Sequence, residues 1–177
     1  GSEVNSGFYH RATDEVLASW GEKYKIINLS PDHLIEHFKV IEKEISVSLI
    51  PDQAHIAKAS LKLKEGADKL GWESMEVPRW FKFNDKNQGT KQSMTKTYIK
   101  WYLEKGGELV SDTTAKKINF IENNWVISCI NSKNNRKSRI RAKSVFLCGG
   151  AINTPFLLRS NGIKKNIGNS LQMHPTI

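Results

Sequence analysis

Residues 144–163 read SVFLCGGAINTPFLLRSNGI. An apolar run from Val145 to Cys148 leads into Gly149 and Gly150, and Thr154-Pro155 opens a second apolar run. A short apolar run of this kind predicts a strand buried on both faces, as in a parallel sheet. Thr-Pro followed by Phe156, Leu157 and Leu158 predicts a helix directly after the turn. At such a corner the backbone can approach a ligand closely, and the helix start can offer N–H groups to an anion. The turn lacks the three-glycine nucleotide fingerprint, so by itself it reads first as tight strand-to-helix packing.

Working back from this corner, residues 115–148 alternate in short β-rich runs broken by Asn-rich turns. They predict a three-stranded meander followed by the apolar strand. The run ELVSD, residues 108–112, predicts one strand more, and residues 92–105 a helix that ends at Gly106-Gly107. The first half has a different character. Ser30-Pro31-Asp32 is a helix start: a cap, a proline in the first turn and an acid at the positive end. Leu34, Ile35, Phe38, Ile41 and Ile45 follow at helical spacing. A short helix is expected over 13–18 and another over 53–70, with Gly71 as its stop. Residues 75–83 read as extended, and NDKNQGT (84–90) as a polar link.

The 177-residue length favours one domain or two small interlocked ones. An apolar share of 38% fits a globular chain, and no apolar run reaches a membrane span. The opening residues lack the charged and apolar regions of a signal peptide. Lys and Arg number 27 against 18 Asp and Glu, a net +9 that favours anionic partners. The excess reads as spread out, densest over residues 133–143, which are taken as a solvated hairpin. Cys129 and Cys148 sit in apolar runs and read as buried free thiols.

Two stretches together resemble the signatures of the glucose-methanol-choline (GMC) oxidoreductases. Gly150-Ala151, Thr154-Pro155, Leu157-Leu158 and Gly162-Ile163 match one signature; GSEVNSGFYHRA (1–12), with Val4, Asn5, Tyr9 and Ala12, matches the tail of the other. GTKQSMTKTYI (89–99), GGELVSDTTAKKI (106–118) and IGNSLQMHPT (167–176) resemble the connecting segments in the same order. Departures are Asn161 in place of the usual Ser, Lys164 in place of the usual Gly, and a short cysteine-free 84–90. The family's Gly-rich strand-helix unit and its catalytic His with a His or Asn partner have no counterpart here, so the chain reads as an internal piece of a larger enzyme.

The resemblance implies part of an FAD-binding, Rossmann-like α/β domain, with parallel strands, a three-stranded β-meander and a mainly helical N-terminal half. Residues 1–90 would hold the flavin-contacting segment and a helical part bordering the substrate domain; residues 91–177 would be the central part of the FAD-binding domain. The resemblance implies oxidation of CH–OH groups, with a base taking the hydroxyl proton and a hydride passing to FAD. An alcohol or sugar substrate and an electron acceptor would be its partners. Gly1, Ser2, Asn5, Ser6 and Phe8 would lie along the flavin, and Ala115 would contact adenine through its backbone. Gly149 and Gly150 would pass the diphosphate–ribose region. No catalytic residue and no metal ligand is assigned to this chain. By itself it is expected to be inactive, to bind FAD weakly and to associate through an open sheet edge.

Other readings compete at particular residues. Asn5 also suits an Asx-turn cap. His174 matches a family histidine that is not the catalytic one and reads as structural; His10 and His55 read as exposed. His33-Leu34-Ile35-Glu36-His37 has the His-x-x-Glu-His pattern of inverted zinc peptidases, but the apolar face of its helix is not shared by both histidines. The alternative function is a basic nucleic-acid or anion-binding module without redox chemistry, built on residues 133–143 and the Lys-rich 57–69. Without interleaved aromatics over 133–143, nucleic acid is not the expected partner.

Overall fold

A computed structural model describes residues 1–52 and 56–170. The chain divides into two compact units, Gly1–Gly107 and Glu108–Ile177.

Among its described residues, the first unit carries four helices and a small sheet. Helix α1, Asp14–Tyr24, begins with Asp14 and Glu15 in its first turn, where acids favour the helix dipole, and ends at Lys25 in the left-handed conformation. It runs a turn and a half beyond the expected 13–18. Helix α2, Pro31–Glu44, starts as the sequence requires: the Ser30 Oγ accepts from the His33 N–H. Strand β1, Val47–Ser48, precedes helix α3, Lys58–Lys69, and Gly71 follows with φ +67. Residues 53–55, where the helix was expected to begin, lie outside the described residues. Strands β2, Arg79–Phe83, and β3, Gly89–Lys91, complete an antiparallel sheet of order β1-β2-β3.

The expected polar link, residues 84–90, is thus a hairpin loop over 84–88 and the start of β3. The Asn84 side chain accepts from Lys86 N–H at 3.0 Å and Gln88 N–H at 2.9 Å, and Asn87 takes φ +57. Helix α4 is short, Tyr98–Glu104, because residues 93–97 form turns instead. There Thr97 Oγ1 donates to the Ser93 carbonyl at 3.0 Å, and both residues are buried.

The second unit is a meander with a helix. Strands β4, Thr113–Ile121, β5, Asn124–Asn131, and β6, Lys137–Ala142, pair antiparallel in sequence order, with a register shift between Ala115 and Lys117. Helix α5, Gly150–Ser160, follows. Ile127 and Cys129 are buried on β5, and burial pushes the Cys129 thiol pKa up.

Several expectations are corrected. Every strand pair among the described residues is antiparallel, so the parallel strands are not seen. Residues 144–148 keep a strand's alternation, Val145 and Leu147 half-buried and Phe146 and Cys148 exposed, but pair with no strand among the described residues. An apolar sequence favours an extended chain; a ladder also needs a partner strand. Cys148 is therefore an exposed thiol, not a buried one. Residues 108–112 are not a strand either; Ser132 donates both its N–H and its hydroxyl to the Asp112 carbonyl, an irregular clasp. No helix among the described residues is long and apolar enough to cross a membrane.

Candidate functional site

The opening loop is built from polar tethers. Lys91 Nζ donates to the carbonyls of Glu3 and Asn5, at 2.8 Å each. Ser2 Oγ accepts from the Met94 N–H at 3.2 Å, and Thr95 Oγ1 donates to Glu3 Oε1 at 2.5 Å. That hydroxyl contact lowers the Glu3 pKa. Asn5 Oδ1 accepts from the Gly7 N–H at 3.0 Å, so the side chain forms the Asx turn that local sequence allows. Asn5 itself is exposed.

Gly7 closes the loop onto β2. It takes φ +74, and a Cβ there would come within 2.6 Å of Phe81 Cε2 and 2.8 Å of Trp80 Nε1. Trp80 N–H donates to the Gly7 carbonyl at 2.9 Å, Phe8 bridges Arg79, and the Arg79 guanidinium lies 5.3 Å from the Phe8 ring centre. Beyond it, Arg11 grips Glu42 on α2 with two bonds, of 2.5 and 2.6 Å, and rides over Phe38. The Arg11 bonds hold the Glu42 pKa below the usual carboxylate range, and burial raises that of Tyr9. Gly1, Asn5, Ser6 and Phe8 thus line the exposed surface of one loop, with Ser2 half-buried beneath them.

The second group lies on the corner between 144–148 and α5. A cleft of about 580 Å³ is lined by Ala115, Ile118 and Ile127 of the meander, by Phe146, Cys148 and Gly149, and by Thr154 and Phe156 of α5. Two residues singled out in the sequence, Ala115 and Gly149, therefore share one concavity. Gly149 N–H donates to Thr154 Oγ1 at 2.9 Å, and a Cβ on Gly149 would sit 3.2 Å from Asn153 Cβ and from Thr154 N. Gly150 has φ +80 with open space where a Cβ would stand; here glycine serves the backbone angle. Asn161, the departure from the family pattern, ties α5 to the meander: Oδ1 accepts from Ile118 N–H at 2.9 Å and Nδ2 donates to the Leu157 carbonyl at 2.7 Å.

Sequence reasoning had no signal for Lys91, whose role depends on a hairpin it did not foresee. The structural part of Thr154 was missed although the residue lies within the signature. Elsewhere, His33 Nδ1 lies 2.6 Å from Ser30 Oγ, and Glu36 pairs with Lys39 at 2.8 Å. His10 Nδ1 is 2.6 Å from the Arg11 carbonyl. His55 and His174 lie outside the described residues. A second, apolar cleft of about 690 Å³, along α3 and Trp72, contains none of the residues assigned to the cofactor.

Both signature-bearing segments fall within one continuous match: residues 1–176 fit the family profile described as GMC oxidoreductase. The chain belongs to the GMC oxidoreductase family. It is 33% identical over 190 residues to an uncharacterised GMC-type oxidoreductase of Sinorhizobium fredii, a match covering all of this chain and 37% of that relative. It is 26% identical over 183 residues to an oxygen-dependent choline dehydrogenase of Staphylococcus saprophyticus, covering 92% of this chain and 32% of that protein. The chain thus spans about a third of the length of these relatives. Family membership does not favour the alternative of a basic module without redox chemistry.

Proposed function

We propose that the whole protein is an FAD-dependent oxidoreductase that oxidises CH–OH groups of an alcohol or sugar and passes the electrons to a separate acceptor. The observation that carries this reading is the cleft that Ala115 and Gly149 share, in a chain of this family. The residues fit the cofactor: the cleft volume is in the range of small-molecule sites, its walls are mainly apolar, and Gly149 lies in its lining where a side chain would crowd Asn153 and Thr154. Ala115, Gly149 and Gly150 would hold the adenosine and diphosphate part, Ala115 through its backbone. Gly1, Ser2, Asn5, Ser6 and Phe8 would serve the ring end.

When bound, FAD supplies the acceptor for the hydride that leaves the CH–OH carbon. This chain's own contribution is binding and positioning. The Asn5 amide has donor capacity beyond its turn, and the tethers from Lys91 and Ser2 fix the loop before any ligand arrives. No proton-transfer residue is proposed within it. The relative named for choline makes a small alcohol such as choline a first substrate to try.

The test is to add FAD to the stripped whole protein and follow flavin fluorescence, then add alcohols and follow loss of flavin absorbance. Saturable binding, weakened by Gly149→Val, is expected. Unsaturable binding, or bound flavin that no alcohol or sugar reduces, contradicts the proposal. The chain of residues 1–177 alone is expected to bind FAD weakly and turn over nothing. Its tendency to self-associate would show in sedimentation, with β4 as the free edge, because β6 carries cations that discourage strand pairing.

A further inference from the structure

The chain's positive charge is concentrated in one sheet. Residues 113–143, which form β4, β5, β6 and their turns, hold eight Lys and Arg against one acid, Glu122, a balance of +7 in a chain of +9. All eight are exposed. Lys133 pairs with Asp112 at 2.7 Å and Arg141 with Glu122 at 3.7 Å. The other six, Lys116, Lys117, Arg136, Lys137, Arg139 and Lys143, have no ion pair among the described residues.

The register decides which of them share a face. Lys117, Ser128 and Arg139 align across the three strands, and Lys137 stands opposite Ile130. Alternation places Lys117, Lys137, Arg139 and Arg141 on the face opposite Ile118 and Ile127, which line the Ala115–Gly149 cleft. Lys116, at the register shift, joins Ser128, Lys137 and Arg139 around a shallow trough of about 520 Å³. Like charges on neighbouring strands repel, so this face is more stable with an anion over it than bare.

We propose that this sheet face docks on an anionic bilayer surface and takes lipid phosphates into the trough around Ser128. Three features favour a lipid surface over other polyanions. The cations are arrayed over an open sheet face, which a plane of headgroups can meet all at once. Five of the eight are Lys, a residue depleted in protein–protein interfaces yet effective as a point charge against a diffuse anionic plane. The aromatics give bases no platform on this face: Phe120 and Trp125 pack on each other at 5.0 Å, in register with the opposite face. The inference is independent of the flavoenzyme reading.

The experiment is co-sedimentation of the whole protein with phosphatidylcholine vesicles, with and without phosphatidylglycerol. Binding to the anionic vesicles alone is expected, falling as salt shortens the screening length. Each Lys or Arg near such a surface is worth about fivefold in binding, so the Lys137→Glu/Arg139→Glu variant should lose at least about 25-fold. Lys62→Glu/Lys69→Glu changes the net charge equally but on α3, and should keep most of its binding. Thermal melts check that both variants fold. No binding to anionic vesicles, or an equal loss in the two variants, overturns the proposal. Salt-sensitive capture of RNA or of an acidic protein without vesicle binding overturns it in favour of that partner.

Discussion

The loop over residues 1–8 and the corner over residues 148–155 are both glycine turns, and they are held in opposite ways. The loop is fastened from outside by side chains of β3 and the turn after it, Lys91 and Thr95, and by the absence of a Cβ at Gly7. The corner is fastened from within, by one hydroxyl of its own helix, Thr154, on the Gly149 N–H. Around the loop, polar atoms do the holding and the surface stays open. Around the corner, an apolar cleft is left between the sheet and α5. The two turns therefore offer different surfaces, a preorganised polar one and an apolar one.

The sharpest way to break this comparison is to add one methyl group to each turn. Gly7→Ala forces a left-handed backbone and a clash with Phe81 and Trp80, and should cost about 3 kcal/mol in urea unfolding. Gly150→Ala carries the same backbone strain in open space and should cost about 1 kcal/mol. Equal losses would mean that the two glycines do the same job.

Next in size is Asn161. Asn161→Leu strands the Ile118 N–H and should cost about 2 kcal/mol, with Asn161→Ser, the residue usual in the family, in between. Stability unchanged in the Leu variant would show that α5 does not depend on this tie.

The half-exposed Arg11–Glu42 pair is smaller still. Arg11→Ala should cost about 1 kcal/mol. The Glu42 pKa is lower folded than unfolded, so the pair's stabilisation is present above the ordinary carboxylate range and is lost as pH falls through the folded value. The Ala variant should therefore lose part of the acid dependence seen in thermal melts; an identical pH profile would contradict the pairing. The smallest effect is spectroscopic. Tyr98 donates to Glu44, and this bond pushes its pKa from 10 up to about 12. Folded stability from this contact is complete below the ordinary tyrosine value and fades as pH rises through the folded one. Ultraviolet titration should find late-ionising tyrosines, Tyr98 among them, and Glu44→Gln should bring one of them down.

These sizes also show what the sequence could and could not reveal. The α2 start was legible because Ser30, Pro31 and Asp32 each act within one turn. The meander was legible because its strands are neighbours in sequence, paired across short Asn-bearing turns. The β2–β3 hairpin was not, because its loop, Asn84 to Gln88, has the composition of a linker and its closing bonds all run to one residue, Asn84, through side chain and backbone. Residues 144–148 misled for another reason: their alternation and apolarity are those of a strand, but pairing depends on a neighbour that no local pattern specifies. The site residues of the signatures were placed by resemblance, whereas Lys91 and the inner role of Thr154 depend on contacts made only when the chain folds. The charge of the meander could be counted in the sequence; that it gathers on one face follows from strand register.

The most direct test of the account is the flavin content of the purified whole protein, with Gly149→Val measured beside it. FAD released on denaturation in proportion to protein, with a clear loss of it in the Val variant, is the expected result. Protein that carries no flavin and leaves added FAD fluorescence unchanged would contradict it.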